Sequence, residues 1–354
     1  MSKLSFRFYY FSLAILLFIS LIISARVGAV NISYEDILNF FGHKLGFIHD
    51  NNPDSIRQAL FFKIRLPRVI LCAFVGAALS VSGALMQALF RNPIVEPGLV
   101  GTSSGAALGA AFVFVMGNRL AGPFANTIGP FLLPLFAFLG GLAATLIVYR
   151  LSSVFGKTNV NTMLLAGIAV NALASGGTGF FSYIARDPQA RSITFWNLGT
   201  LSGADWPAVE LVGVSTTLGI LICLRYSKSL NALLLGETEA SYLGVHAEKL
   251  KMKVILINTF IVAMATSIVG VIGFIGLIVP HLLRMMKSSD NRFLIIASAL
   301  LGAILLNLAD MVSRILVAPS EFPIGIITAF VGAPVFLFIL INNSRKQQQG
   351  GFYA

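Results

Sequence analysis

The chain has 354 residues, of which 56% are hydrophobic and only 11% charged. A typical globular chain carries about 25% charged residues, so an ordinary soluble domain is excluded and a polytopic membrane protein is implied. The net charge of +11 does not point to nucleic acid. The basic residues lie in segments between apolar runs, where they orient a membrane protein.

Apolar runs near the 20 or so residues needed to span a bilayer recur along the chain. There are about ten, near 8–25, 66–90, 98–117, 128–149, 160–184, 207–225, 249–270, 272–288, 293–317 and 324–342, with Gly and Pro leaving the division of 249–288 open. The first run follows Lys3 and Arg7 and opens on five aromatics between Phe6 and Phe11. Val27-Gly28-Ala29 offers a small-residue cleavage site, but the run exceeds a signal-peptide core, which predicts a retained first helix. With an even number of spans both termini share one side. An inside amino terminus puts 15 Lys and Arg inside against 10 outside, the direction the positive-inside rule requires.

Residues 31–63 form a polar outer segment with room for an amphipathic helix over Tyr34–Leu45. The runs Val69–Phe90 and Leu99–Met116 then flank a break, Arg91–Gly98, with Asn92, Glu96, Pro93 and Pro97. Such a break cannot continue a helix through lipid, so the pair reads as a transmembrane hairpin. Gly101, Gly105 and Gly109 are spaced four apart, which lets another backbone approach closely. Gly156-Lys157-Thr158 imitates the end of a phosphate-binding loop, but Leu151 stands where its first Gly is needed. Nothing else in the chain could cradle a nucleotide. In the fifth span Gly167, Asn171, Ser175 and Gly179 share one helical face, suited to a water-accessible wall or a tight crossing.

Arg186–Trp206 is an outer segment too short and polar to span. The inner loop 227–249 reads as two short helices joined at a turn: Leu230, Leu233 and Leu234 form an apolar stripe and Gly236 breaks it. Glu237, Glu239 and Ala240 open the second helix, Leu243 supplies its apolar face and Gly244 ends it. A compact helical pair of this kind suits docking into a partner's groove. His43, His49, His246 and His281 are scattered and no two are four apart, so neither a metal site nor a cofactor is expected. Cys72 and Cys223 both lie in apolar runs, which excludes a disulfide framework. His281, after Pro280, reads as a hydrogen-bonding group at a helix break. Asp310 is the one acid well inside a span, with Arg314 four residues on, so a structural ion pair is expected. An ion-coupled secondary transporter needs several deep ionisable residues, and an intramembrane enzyme needs a His or acid cluster. Neither pattern is present.

These residues also carry a resemblance. RLPR from Arg65, the small-residue helix, the RNP turn with EPGLVG, and SSGAALG together resemble the FecCD permeases. Those are membrane subunits of ABC importers for iron–siderophore complexes, haem and cobalamin. GFIGLIVPHLLR and GAPVF (Gly332–Phe336) resemble two further signatures, so the likeness runs from about Arg65 to Phe338. It implies an all-α type II importer permease with ten spans, residues 1–342 forming one transmembrane domain and 343–354 a disordered cytoplasmic tail. It also implies a homodimer with the pathway on its two-fold axis, in the cytoplasmic membrane. Two copies of a cytoplasmic ATPase and an extracytoplasmic substrate-binding protein are the implied partners.

The inner loop resembles the E-A-A-x-x-x-G coupling pattern of such importers, departing at Ser241 and in a spacer one residue shorter. Arg65, Arg68 and Arg314 match positions that meet acidic residues of the binding protein. Asn92 and Ile94 fall near the cytoplasmic mouth, with Asn161 and Thr162 facing them as a gate. The Gly167–Gly179 face falls on the pathway. SITFWNLGTLSGADW, from Ser192, resembles haem-type permeases more than cobalamin-type ones.

Overall fold

The computed structural model describes residues 3–28, 30, 32–47, 55–122, 125–154, 156–318 and 320–348. The expected retained helix is α1 (Lys3–Arg26), followed by the outer amphipathic helix α2 (Tyr34–Lys44). Ser33 and Asp36 close a capping box at the start of α2: the Asp36 N–H donates to Ser33 Oγ, and the Ser33 N–H donates to Asp36 Oδ2. Phe40 packs inward on Phe61, so α2 lies against the outer ends of the helices on either side of it.

The second span begins about ten residues before the expected start at 66. It runs from α3 (Ser55–Leu60) through a π turn, Phe61–Arg65, into α4 (Leu66–Phe90). Pro67 explains the π turn. Its ring crowds the carbonyl four residues back, and widening the register lets the Leu66 N–H reach Phe61 O instead.

α4 is the axis of the bundle, buried along most of its length, with α1, α9 (Trp206–Leu235), α11 (Ala247–Val269), α12 (Ile275–Met286) and α13 (Asn291–Leu316) around it. A flanking group, α5 (Thr102–Ala121), α6 (Ala125–Ser152) and α7 (Val160–Ile184), packs mainly on itself, with α8 (Asp187–Asn197) across its outer end. The short α10 (Glu237–Tyr242) follows α9 on the inner side, and α14 (Ile324–Gln348) closes the chain against α12 and α13. A two-residue strand pair, β1 (Ser153–Val154) and β2 (Lys157–Thr158), turns α6 into α7. Among the described residues seven helices are long and apolar enough to cross a membrane, and three shorter apolar ones lie at Thr102–Gly117, Ile275–Met286 and Ile324–Phe338. Together they account for the ten expected runs.

Small residues set the closest contacts, in place of the hydrophobic drive that lipid removes. At Gly83 and Gly276, α4 and α12 touch backbone to backbone, and a side chain at Gly83 would overlap the Gly276 carbonyl. Gly105 meets the Gly140 carbonyl on α6 and Gly109 the Phe136 carbonyl, so the expected ladder packs α5 on α6. Gly101 does something else: with φ +93 it caps the turn before α5.

Two spans are shortened by backbone that leaves the helix. The segment after Phe90 doubles back along α4, so that Pro97, in a 3-10 turn (Pro97–Val100), reaches Gly276. Gly276 lies beside Gly83, seven residues or about 10 Å above the inner end of α4. Opposite it, the extended stretch 270–274 separates α11 from α12 and ends at Phe274, a non-glycine residue at φ +68. The Phe274 N–H donates to Glu96 Oε1 at 3.1 Å, joining the two irregular segments inside protein rather than lipid. The simple hairpin turn expected at 91–98 is therefore a re-entrant segment.

Three further readings change. α9 extends unbroken to Leu235, so the first short helix of the inner loop is the end of a span. Pro280 lies inside α12, so His281 stands within a helix rather than at a break, and its Nε2 has no hydrogen bond among the described residues. α14 stays helical to Gln348, past the polar residues from Asn342, because a formed helix propagates at little cost; 349–354 lie outside the described residues, as does His49.

Candidate functional site

At the rim that the charge distribution predicts to be outer, the three arginines expected to dock a partner are buried, with exposures of 7%, 6% and 8% for Arg65, Arg68 and Arg314. Asp310, wholly buried one turn before Arg314, draws two of them inward. Arg68 donates to Asp310 Oδ1 from Nε at 3.0 Å and Nη2 at 2.8 Å, and pairs through Nη1 with Glu321 at 2.6 Å. Arg314 Nη2 lies 3.0 Å from Asp310 Oδ2, which is the expected i, i+4 pair. Its Nη1 donates to the Ser24 and Val27 carbonyls at 3.0 and 2.6 Å, fastening the outer end of α1. Among the described residues Arg65 donates to carbonyls, those of Ala25 at 3.5 Å, Arg26 at 2.8 Å and Val30 at 2.6 Å. All three nonetheless line one outer pocket of about 160 Å³ with Glu321. Three guanidinium groups there stand against two carboxylates.

The predicted pathway face divides in two. Gly167 accommodates the Leu99 carbonyl, and Asn171 Nδ2 donates to Gly98 O at 3.2 Å, so these two hold α7 against the re-entrant segment. Ser175 faces a cavity of about 300 Å³ with Ser103, Ser104, Thr178, Asn197 and Val271, and Gly179 has no atom near its Cα side. The lining of that cavity is hydroxyl, amide and apolar, with no ionisable side chain. Ser103 and Ser104 stood in the SSGAALG stretch but were read as part of a packing helix. Thr178 and Asn197 gave no signal of their own.

At the inner face Asn92 folds onto its own turn: its Oδ1 accepts from the Ile94 N–H at 3.0 Å, leaving Ile94 half exposed. Asn159 caps α7, its side chain accepting from the N–H groups of Asn161 and Thr162 at 2.9 and 3.1 Å. The side chains of Asn161 and Thr162 are thereby left exposed. Asn161 shares a cavity of about 370 Å³ with Arg91, Lys157, Glu237 and Glu248. Asn92, Ile94 and Thr162 do not line it.

The inner loop presents an edge. Leu230 and Ala240 are buried, anchoring α9 and α10 from beneath. Gly236, at φ +137, makes the sharp turn between them, and Gly244, at φ +77, ends α10. The outward residues include Leu234, Glu239, Leu243 and Gly244, together with Leu235 and Tyr242, the latter 85% exposed. Glu237 turns back to Lys251 on α11, at 2.8 Å. Sequence spacing carried no sign of that pair.

An α-helical bundle with seven long spans, irregular backbone held within the protein and an uncharged polar cavity defines a polytopic permease. The FecCD transport family model matches residues 16–342, and the chain belongs to that family. The match extends well before Arg65, so the second half of α1 and all of α2 are part of it. The hemin transport system permease protein HmuU of Yersinia pestis is 41% identical over 343 residues, 96% of each chain. The vitamin B12 import system permease protein BtuC of Salmonella paratyphi A is 39% identical over 295 residues, 82% of this chain and 86% of that one. A metal-chelate type ABC transporter solved in an inward-facing conformation superposes with a TM-score of 0.80 at 31% identity, covering 94% of this chain and 98% of its own. The chain is an ABC importer permease.

Proposed function

We propose that this chain carries an iron chelate, haem before a siderophore complex, across the cytoplasmic membrane as the permease half of a binding-protein-dependent importer. The observation that carries the reading is the match to a hemin permease over 96% of both chains. The uncharged cavity around Ser175 supports it, since a wall of hydroxyl and amide groups lets a bulky anionic chelate pass without trapping it. Cobalamin is the second reading, favoured by the BtuC relative.

The chain works as a homodimer with both termini cytoplasmic. Leu165, Leu173 and Tyr183 stand 68%, 77% and 88% exposed along α7, an apolar flank suited to a second copy at the pathway axis. The outward edge of the 227–249 loop (Leu234, Glu239, Leu243, Gly244) docks on a cytoplasmic ATPase, one per permease. The outer pocket with its surplus of guanidinium charge receives an acidic side chain of an extracytoplasmic binding protein. Asn92, Ile94, Asn161 and Thr162 form the inner gate, and Ser175 and Gly179 line the way to it.

The test is reconstitution of the chain in liposomes with its ATPase and binding protein, offering hemin and cyanocobalamin separately. ATP-dependent hemin accumulation supports the first reading, and cobalamin accumulation alone replaces it with the second. Accumulation of either driven by a proton gradient without ATP overturns both.

A further inference from the structure

Lys251, the partner of Glu237, lies on α11 one turn into the helix and is 2% exposed. Three oxygens surround its ammonium, which donates to Glu248 Oε1 at 2.9 Å and Thr158 O at 3.0 Å and is ion-paired with Glu237 Oε1 at 2.8 Å. Glu248 extends the group, its Oε2 accepting from the Thr158 N–H at 2.8 Å. Both backbone groups of Thr158 are thus held, one by each member of the Glu248–Lys251 pair.

The three acceptors come from three different elements. Glu237 is the first residue of α10, behind the edge that faces the cytosol. Glu248 is on α11 itself. Thr158 is the last residue of β2, in the Gly156-Lys157-Thr158 turn, and the next residue, Asn159, caps α7 at Asn161 and Thr162. α10 is six residues long, and α6 enters the hairpin through only two strand residues, so neither is stiff alone. A buried ammonium shared between them removes that freedom. Separating any one of these oxygens leaves a buried ammonium short of a partner, so the three elements are tied to move together.

We propose that Lys251 is the positioning residue that transmits displacement of α10 to the α6–α7 hairpin and so to the mouth of α7. The proposal rests on the reading of α10 as the ATPase-docking edge and of Asn161 as part of the gate. A Lys that merely filled space would not need a carboxylate from α10 and a carbonyl from the α6–α7 hairpin on one ammonium, and its loss would lower stability alone.

The experiment uses the full complex of permease and ATPase with Cys72 and Cys223 replaced and Asn161→Cys as reporter. A membrane-impermeant maleimide on the cytosolic side reads the labelling rate in nucleotide-free and ATP-bound complexes. With Lys251 present the two rates differ. In Lys251→Met their ratio falls roughly tenfold, the equivalent of about 1.4 kcal/mol of coupling. Glu237→Gln, which frees only the α10 side, lowers the ratio in the same direction and decides the matter if Lys251→Met does not fold. An unchanged ratio in the folded variants overturns the proposal. Tyr242→Arg keeps the two readings apart. If it fails to weaken co-purification with the ATPase, the docking reading falls and this proposal with it. If it does weaken co-purification while the Lys251 and Glu237 variants keep the full ratio, the Lys251 proposal alone is lost.

Discussion

Replacing Asp310 by Asn separates a structural acid from a transport proton site. Asp310 is fully buried, with two arginines on its oxygens at 2.8 and 3.0 Å. At an effective dielectric near 20, one such contact is worth about 6 kcal/mol of attraction, most of which offsets the cost of desolvating the charges. Asn keeps the shape but leaves Arg314 with neutral partners, the Ser24 hydroxyl and carbonyls, and Arg68 with Glu321, whose side chain is 43% exposed. Breaking a buried pair this way costs about 3–5 kcal/mol. At about 2.1 cal/mol/K of unfolding entropy per residue, each kcal/mol moves the midpoint of this chain by about 1.3 °C, so the apparent Tm of the detergent-solubilised variant falls about 4–7 °C. The scan rate is held fixed, because unfolding of such a protein is irreversible. Arg314→Met in the Asp310→Asn background removes the stranded cation and recovers part of that loss. Uptake per folded permease stays near wild type. A Tm shift below about 2 °C, or abolished uptake at full stability, refutes the assignment of Asp310 as a structural acid.

Gly83→Ala places a methyl against the Gly276 carbonyl and should cost about 3 kcal/mol, whereas Gly179→Ala, with nothing nearby, should raise stability by about 0.5 kcal/mol; thermal shift of the purified variants checks both. Asp36 is held below the ordinary carboxylate range, chiefly by the Ser33 N–H and to a smaller extent by Arg57. The stabilisation it gives α2 is therefore complete above the unfolded value near 4 and is lost as pH falls through the lower folded value. Hydrogen exchange in α2, corrected for intrinsic rate, should rise several-fold in that window for the wild type and show no such step in Asp36→Asn. Asn92→Cys and Asn161→Cys, in a background without Cys72 and Cys223, should label with a cytosolic thiol reagent faster in one nucleotide state of the ATPase than in another. Equal rates in every state would remove both residues from the gate.

What the sequence showed plainly was anything periodic or local. The apolar runs mark every span, the polar break marks the turn after α4, and Asp310 with Arg314 at i, i+4 marks the ion pair. What it hid depended on partners distant in the chain. Arg68 looked like a surface cation because its acid lies 242 residues away. Lys251 sat among Lys249 and Lys253 as one more inner basic residue, and only the fold brings Glu237 and Thr158 to it. The π turn escaped for a different reason: Pro67 announces a helix start under ordinary rules, and the register change that lets the helix begin earlier has no composition of its own.

The distribution of close contacts also says which parts of the permease can move. α4 meets α12 at Gly83–Gly276 and α13 at Gly76–Gly302 with no side chain between, and Arg284 adds a hydrogen bond to Gln87 near the inner end. Backbones in such contact cannot slide without a clash or a void, so these helices act as one body. Among the described residues α7 makes a backbone contact of this kind only at Gly167, and it packs on α5 and α6 through side chains. It touches the re-entrant segment at Gly167 and Asn171, and most of its outer half is open. Its inner end is set by the Asn159 cap and, through Thr158, by Glu248 and Lys251. A change applied at α10 therefore meets a stiff core on one side and a lightly held helix on the other, and the lightly held helix carries Asn161, Thr162 and Ser175. Motion follows the smaller restoring force, so a tilt of α7 about its contacts with the re-entrant segment, rather than separation of α4 from its neighbours, is the movement this packing favours.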